Sequence, residues 1–302
     1  MRFGFIRRMK EAYPTTLLCK VMRVSRSGFY AYCLRCNKPK SLRQIELEEC
    51  VKKIFEKSGS TYGSRRILAE LRAKGYKIGR YRVRSLMKKL GLKVKTPKRY
   101  KITTDSKHSH PVAPNLLDRQ FQVDKPNTVW TGDITYIWTS EGWLYLSVII
   151  DLFSRQVVGW AMDKRMKVQL VKDALSMAYW RRKPLPGLLH HSDRGSQYAC
   201  SDYQELLKQY QMIPSMSRKG NCWDNAPTTE RFFRSLKFER LDHYCFVTRD
   251  DARTEVLDYI TFYNAFRRHS TINYMSPMDF ERTYITEVSP KLCFIESRNH
   301  AQ

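Results

Sequence analysis

The sequence predicts an α/β protein, a mixed β-sheet with flanking helices preceded by an all-α, basic N-terminal region. Three observations lead there. Apolar residues recur at helical spacing through the first third of the chain. Beyond residue 125 they alternate or run continuously, and helical stretches follow between further short strands. Charge is divided as well: residues 1–110 carry 30 Lys plus Arg against seven acids, and residues 111–302 carry 25 against 22. At 302 residues and a formal net charge of +26, the chain is long enough for more than one core. We divide it into a basic, helix-turn-helix-like region over 1–92, a linker over 93–124, a sheet domain over 125–245 and a C-terminal helical extension over 246–302.

Composition excludes several classes. An apolar share of 42% with 13% aromatics argues against wholesale disorder. The longest strongly apolar run, Trp143 to Ile150, is far short of the roughly 20 residues that span a bilayer. No apolar run follows the basic N-terminus, so no secretory signal is expected. Eight cysteines without a regular framework suit a reducing cytosol. Cys33 and Cys36 form a CxxC, but all seven His lie at or beyond position 108, so incidental cysteines are expected there rather than zinc. The basic N-terminal third predicts a polyanion partner, bound through phosphate contacts with steep salt dependence. A membrane surface fits less well, because the basic residues do not flank one broad apolar face.

Element by element, residues 17–22 and 25–34 read as two short helices around a turn, with Ser25 suited to an N-cap. Residues 41–57 and 61–74 are amphipathic helices, the second stopped by Gly75. The segment 81–91 buries Val83, Leu86, Met87 and Leu90, while Arg80, Arg82, Arg84, Lys88 and Lys89 decorate the rest. Two helices, a turn and a basic third helix suit a DNA-reading unit; a phosphate-binding bundle that reads no sequence is the alternative. The stretch from Lys93 to Asn115 has Pro97, Pro111, Pro114 and little periodicity, as a linker does. Strands follow over 129–139, 142–155 and 157–162, the last two forming a hairpin. Then come a helix through Trp180, a strand over 187–193, a helix over 201–210, a strand over 212–217 and helices over 229–241 and 250–266.

Three acids stand out. Asp133 lies inside a strand, Asp193 at the end of another, and Glu230 near the start of a helix. A lone carboxylate in an apolar strand is costly to bury. Two at neighbouring strand positions with a Glu above them would instead gather hard oxygens suited to Mg²⁺ or Mn²⁺. Asp151 reads as a structural acid at the hairpin, and Asp224 and Asn225 as turn residues, with Asp224 in reserve as a third acid. A hydrogen-bonding role suits His191 better than proton transfer.

The segments TGDITYI (131–137), VIIDLFSR (148–155), HSDRGSQY (191–198), GNCWDNAPTTERFFRSLK (220–237) and YNAFRRHSTINYMSPMDF (263–280) resemble an insertion-sequence transposase. The resemblance is to the OrfB product of insertion-sequence family three, within the retroviral-integrase superfamily, and it covers nearly the whole chain. It implies an RNase H-like catalytic core, a DDE transposase cutting and joining bacterial mobile DNA in the cytoplasm, and two divalent ions, Mg²⁺ or Mn²⁺. By position it implies a triad of Asp133, Asp193 and Glu230, with Asp133 bridging both ions. It further implies double-stranded element-end and target DNA, an OrfA product fused or bound, and a homo-oligomer on DNA, with no membrane. Arg194, Gln197 and Tyr198 would then lie near the scissile phosphate. Lys219, Asn225, Arg231, Lys237, Arg267 and Arg268 would lie along the DNA path. One departure matters: 36 residues separate Asp193 from Glu230, one more than the family spacing, and the extra residue is Thr228 or Thr229. An impaired copy that only binds DNA is therefore the alternative, and a nuclease that cuts without joining is a third reading.

Overall fold

The computed structural model describes residues 2–37, 41–95, 112–218, 224 and 227–287. The N-terminal third is helical and forms two small cores. In the first, α1 (Arg2–Met9), α2 (Thr15–Val21) and α3 (Arg26–Asn37) close around Ile6, Leu18, Cys19 and Phe29. Ser25 starts α3 by accepting the Gly28 amide at 3.1 Å. The sequence pattern gives no warning of α1, whose eight residues bury only Ile6. In the second core, α4 (Leu42–Lys57), α5 (Ser64–Ala73) and α6 (Arg80–Lys89) bury Val51, Ile67, Leu71, Val83 and Leu86.

Five strands follow: β1 (Val129–Thr139), β2 (Gly142–Asp151), β3 (Val157–Asp163), β4 (Leu189–Ser192) and β5 (Ile213–Met216). Their order across the sheet is β3-β2-β1-β4-β5. β1, β2 and β3 form an antiparallel meander, and β4 and β5 run parallel to β1. One face is covered by α7 (Val168–Arg182), α8 (Ser196–Ala199) and α9 (Ser201–Gln209), which pack on Trp130, Ile149 and Val158. The other is covered by α10 (Pro227–Glu239) and α11 (Arg249–Ala265), which pack on Ile137, Leu144, Leu146, Val148 and Ile150. The helix α11 therefore completes the sheet domain. A last helix over 277–287 docks through the Arg182–Glu281 ion pair and through Phe280 and Tyr284 against Phe153. Among the described residues no helix is long and apolar enough to cross a membrane.

The second strand stops at Asp151, short of the predicted Arg155, because the Asp151 carboxylate folds the chain back. Its Oδ1 accepts the amides of Phe153 at 2.8 Å and Ser154 at 3.1 Å. Its Oδ2 accepts the Asn127 amide at 2.6 Å and Trp130 Nε1 at 3.3 Å.

Sheet and helix meet closely at Gly159. A Cβ there would lie 2.2 Å from the Ala174 carbonyl oxygen and 2.7 Å from Ala178 Cβ. Both neighbours belong to α7 and one is backbone, so the helix itself would have to move. We expect Gly159→Ala to destabilise the domain by about 1–3 kcal/mol, the usual cost of overpacking, measured by denaturant unfolding.

Candidate active site

The parallel ladder between β1 and β4 ends at the pair Gly132–Ser192. The next residue on each strand is an acid, so Asp133 and Asp193 emerge side by side where the ladder stops. On its other side Asp133 is paired with Val148 of β2, which fixes it in the sheet. The Asp133 Oδ1 accepts the following amide, Ile134, at 2.7 Å, and the Asp193 Oδ1 accepts the Gly195 amide at 2.8 Å. Together with Thr131, Gly132, His191, Ser192 and Thr229 the two acids line one small cleft.

Glu230 lies in the first turn of α10, which opens on Pro227, a residue whose fixed φ and missing N–H suit the first helical position. Both threonines are inside this turn and point inward. Thr229 Oγ1 lies 2.8 Å from Thr131 Oγ1 of β1, and Arg155 donates to Thr228 Oγ1. Phe232, Phe233 and Leu236 are buried in the sheet's core, so the register of α10 is fixed on both sides of Glu230. Glu230 itself is exposed. Thr228 and Thr229 therefore both lie within the first turn of α10.

The electrostatics tie the three acids together. Burial pushes the Asp133 carboxyl well up, and the charges of Asp193 and Glu230 push it further; the Ile134 amide and Lys237 oppose them. Yet among the described residues no three His, Cys, Asp or Glu side chains are close enough to hold a metal ion as they stand. Two acids share the cleft, and the third acts on it from the rim.

The surrounding polar groups are held in place. His191 makes hydrogen bonds through both ring nitrogens, Nδ1 with Ser215 Oγ at 2.9 Å and Nε2 with the Asp224 carbonyl at 3.0 Å. A carbonyl only accepts, so Nε2 carries the proton and the ring is a neutral strut. Burial lowers its proton affinity in keeping with that. Asp224 receives Arg218 Nε at 2.6 Å and Arg119 Nε at 2.9 Å, with its side chain buried. Hydrogen bonds from Arg218 hold its carboxyl well below the ordinary range. Asp224 therefore clamps the backbone beside the site and is unsuited to the reserve role.

The predicted DNA contacts divide. Arg80, Arg82, Arg84 and Lys88 are exposed on α6, whereas Lys89 is paired with Glu48 at 2.8 Å. Arg194 donates to the Ser217 carbonyl at 2.6 Å and Gln197 to the Met166 carbonyl at 3.3 Å. Arg231 and Arg234 are exposed on α10. Lys237 lies over the Tyr136 ring, 4.9 Å from its centroid. Lys219 and Asn225 lie outside the described residues. Two expectations need correction. Tyr198 is fully buried, packed edge-on against Tyr203, and has no access to a phosphate. Arg267 is 4% exposed because its Nε and Nη2 hold Glu239, and its neighbour Arg268 is paired with Glu70 at 2.7 Å. The sequence reading missed Arg66, Arg119, Arg155 and Glu239, whose partners lie far away in the chain. It also missed exposed Tyr136, which Lys237 covers, and exposed Trp138 and Trp143 farther along the hairpin, although Tyr136 and Trp138 alternate visibly along β1 after Asp133.

The raised carboxyl of Asp133 carries a stability consequence. The folded chain holds this proton more tightly than the unfolded chain does. Metal-free stability is therefore lost as pH rises above the ordinary carboxylate range and through the raised value. Asp133→Asn should raise the melting temperature of the metal-free chain at neutral pH, at about 2–4 °C per kcal/mol relieved, with the gain shrinking near pH 4. Calorimetric scans at both pH values check this.

Comparison with known proteins places the site in context. An integrase core domain model matches residues 123–222, a second integrase core domain model matches residues 230–284, and an HTH-like domain model matches residues 41–100. Transposase InsF for insertion sequence IS3A of Escherichia coli (strain K12) is 42% identical over 284 residues, covering 93% of this chain and 98% of that protein. The insertion element IS600 uncharacterized 31 kDa protein of Shigella sonnei is 44% identical over 270 residues, covering 88% and 98%. Among solved structures, the HTLV-2 integrase catalytic core domain in complex with magnesium aligns with a TM-score of 0.41 at 18% identity, over 52% of this chain and 97% of that one. With its integrase core and HTH-like region, the chain belongs to the IS3 family of insertion-sequence transposases.

Proposed function

We propose that this chain is the DDE catalytic subunit of a bacterial insertion sequence, cutting element ends and joining the freed 3′-hydroxyl to new DNA. The observation that carries it is the pair Asp133 and Asp193, set side by side in one cleft with Glu230 acting electrostatically on Asp133. The donor set fits a divalent cation. It offers hard carboxylate oxygens only, and like charges crowded into a partly desolvated cleft are the condition that a cation relieves. Asp133 and Asp193 would hold Mg²⁺ or Mn²⁺, and Glu230 a second ion beside it. Bound there, such ions activate an attacking hydroxyl and stabilise the leaving oxygen of a phosphodiester.

The chain's own residues supply the rest. Arg231 and Arg234 face solvent on the helix that carries Glu230, and Lys237 sits between that helix and β1, so phosphates are drawn to the rim of the cleft. The exposed arginines of α6 and Lys88 hold duplex DNA through its backbone. Neutral His191 and clamped Asp224 keep the cleft walls fixed, which favours a geometry set before the reaction. The partners are double-stranded element-end and target DNA, an OrfA product, and further copies of this chain on DNA, in the bacterial cytoplasm.

A second reading, a copy that only binds DNA, is favoured by one observation: the side chain lining the cleft from α10 is Thr229 rather than a carboxylate. Against it stands the fixed register of Phe232, Phe233 and Leu236 after Glu230. A nicking and joining assay on labelled element ends, in Mg²⁺ or Mn²⁺, separates the two. It compares the chain, a version lacking Thr229, and Asp133→Ala, Asp193→Ala and Glu230→Ala, each alone and fused to OrfA. We expect the chain to nick and join, and each alanine variant to lose about a thousandfold, corresponding to several kcal/mol of lost transition-state stabilisation. Activity only after removal of Thr229 would establish the DNA-binding reading.

A further inference from the structure

Helix α10 carries Glu230 in its first turn and Glu239 at its last residue. The two are nine positions apart, about 13 Å along a rigid helix. Both carboxylate oxygens of Glu239 are bonded. Arg267 Nη2 reaches Oε1 at 2.7 Å and Arg267 Nε reaches Oε2 at 2.8 Å. Tyr259 Oη donates to Oε2 at 2.9 Å. The third partner comes from outside the sheet domain: Arg66 Nη1 of α5 lies 3.4 Å from Oε1. Arg66 also stacks on Tyr62, 5.3 Å from the ring centroid.

This contact does not stand alone. Tyr62 Oη accepts the amide of Arg268 at 2.9 Å, and Glu70 of α5 holds the Arg268 guanidinium at 2.7 Å. Lys57 at the end of α4 lies over the Phe266 ring at 4.8 Å. One face of the α4–α6 unit therefore grips two things at once, the end of α10 and the segment that follows α11. The same α4–α6 unit carries the exposed arginines of α6.

We infer that Arg66 is a positioning residue: it links the DNA-gripping helical unit to the helix that bears Glu230, so that seating of that unit on DNA sets the third carboxylate. This rests on the catalytic role proposed above for Glu230. Arg267 and Tyr259 hold Glu239 within the sheet domain whatever the helical unit does. Arg66 reaches α10 directly from that unit. It is also the partner that can be removed with the least damage, since Arg267 still neutralises Glu239 when Arg66 is gone.

The test uses the full chain and labelled element-end DNA. Hydrogen exchange of the α10 amides is followed without metal, with and without DNA, and single-turnover cleavage is followed in Mg²⁺ at saturating DNA. In Arg66→Met we expect unchanged end affinity, α10 exchange faster by about tenfold, and cleavage slower by about tenfold, the size of one coupling contact. Arg66→Lys should restore most of both losses. Glu70→Gln, which loosens the same grip at its Arg268 contact, should speed α10 exchange in the same direction and keeps the test readable if Arg66→Met folds poorly. Unchanged α10 exchange in Arg66→Met and Glu70→Gln would overturn the inference. So would a loss of cleavage explained wholly by weaker DNA binding. If instead neither the unaltered chain nor its fusion to OrfA cleaves but α10 exchange responds to Arg66 as stated, the positional link stands and the catalytic role of Glu230 falls.

Discussion

The structure turns on two like charges held together. A sheet brings Asp133 and Asp193 into one cleft because a parallel ladder stops one residue before both. Carboxylates so placed repel, and burial adds to the cost, as the raised Asp133 carboxyl reports. At Asp133 the Ile134 amide and Lys237 oppose that rise. The remainder of the fold must therefore hold the arrangement by packing. It does so from both sides, with Trp130 and Ile149 under one face and the aromatic core of α10 and α11 under the other.

The helix that carries Glu230 is fixed at both ends by different chemistry. At its start, two buried threonines bond to β1 and to Arg155. At its end, Glu239 sits in a buried network with Arg267, Tyr259 and Arg66. A buried carboxylate of this kind is tolerable only when its partners are also in place. The segment YNAFRRHS supplies several of them. Asn264 brackets Val157 of β3, accepting its N–H and donating to its carbonyl, each at 2.9 Å. Arg267 holds Glu239, and His269 packs edge-on against Tyr263, its proton affinity pushed down to about 2 by burial and by Arg267. This motif braces the sheet domain from within.

Much of this was legible in the sequence. The switch from helical to alternating apolar spacing near residue 125 precedes the first strand, β1, which begins at Val129. Asp133 and Asp193 stand out because an acid in or beside an apolar strand demands an explanation. Phe232, Phe233 and Leu236 fix the side of α10 that faces the sheet. What was not legible depends on distant partners. Arg267 and Arg268 look like surface charge until Glu239 and Glu70, 28 and 198 residues away, are brought beside them. Tyr198 looks like part of a polar loop until α8 turns it inward against Tyr203. The helix α1 is too short to show a period. The spacing of Asp193 and Glu230 can be counted, but the burial of Thr228 and Thr229 against Arg155 and Thr131 depends on distant partners.

The most direct measurement is a calorimetric titration of Mn²⁺ into the full chain near neutral pH, beside Asp133→Asn and Glu230→Gln. If the three acids form one metal centre, the chain binds Mn²⁺ with release of protons, Asp133→Asn abolishes binding and Glu230→Gln weakens or removes one ion. Binding that is unaffected by Glu230→Gln would place the third carboxylate outside the centre. Binding unaffected by Asp133→Asn would contradict the account as a whole.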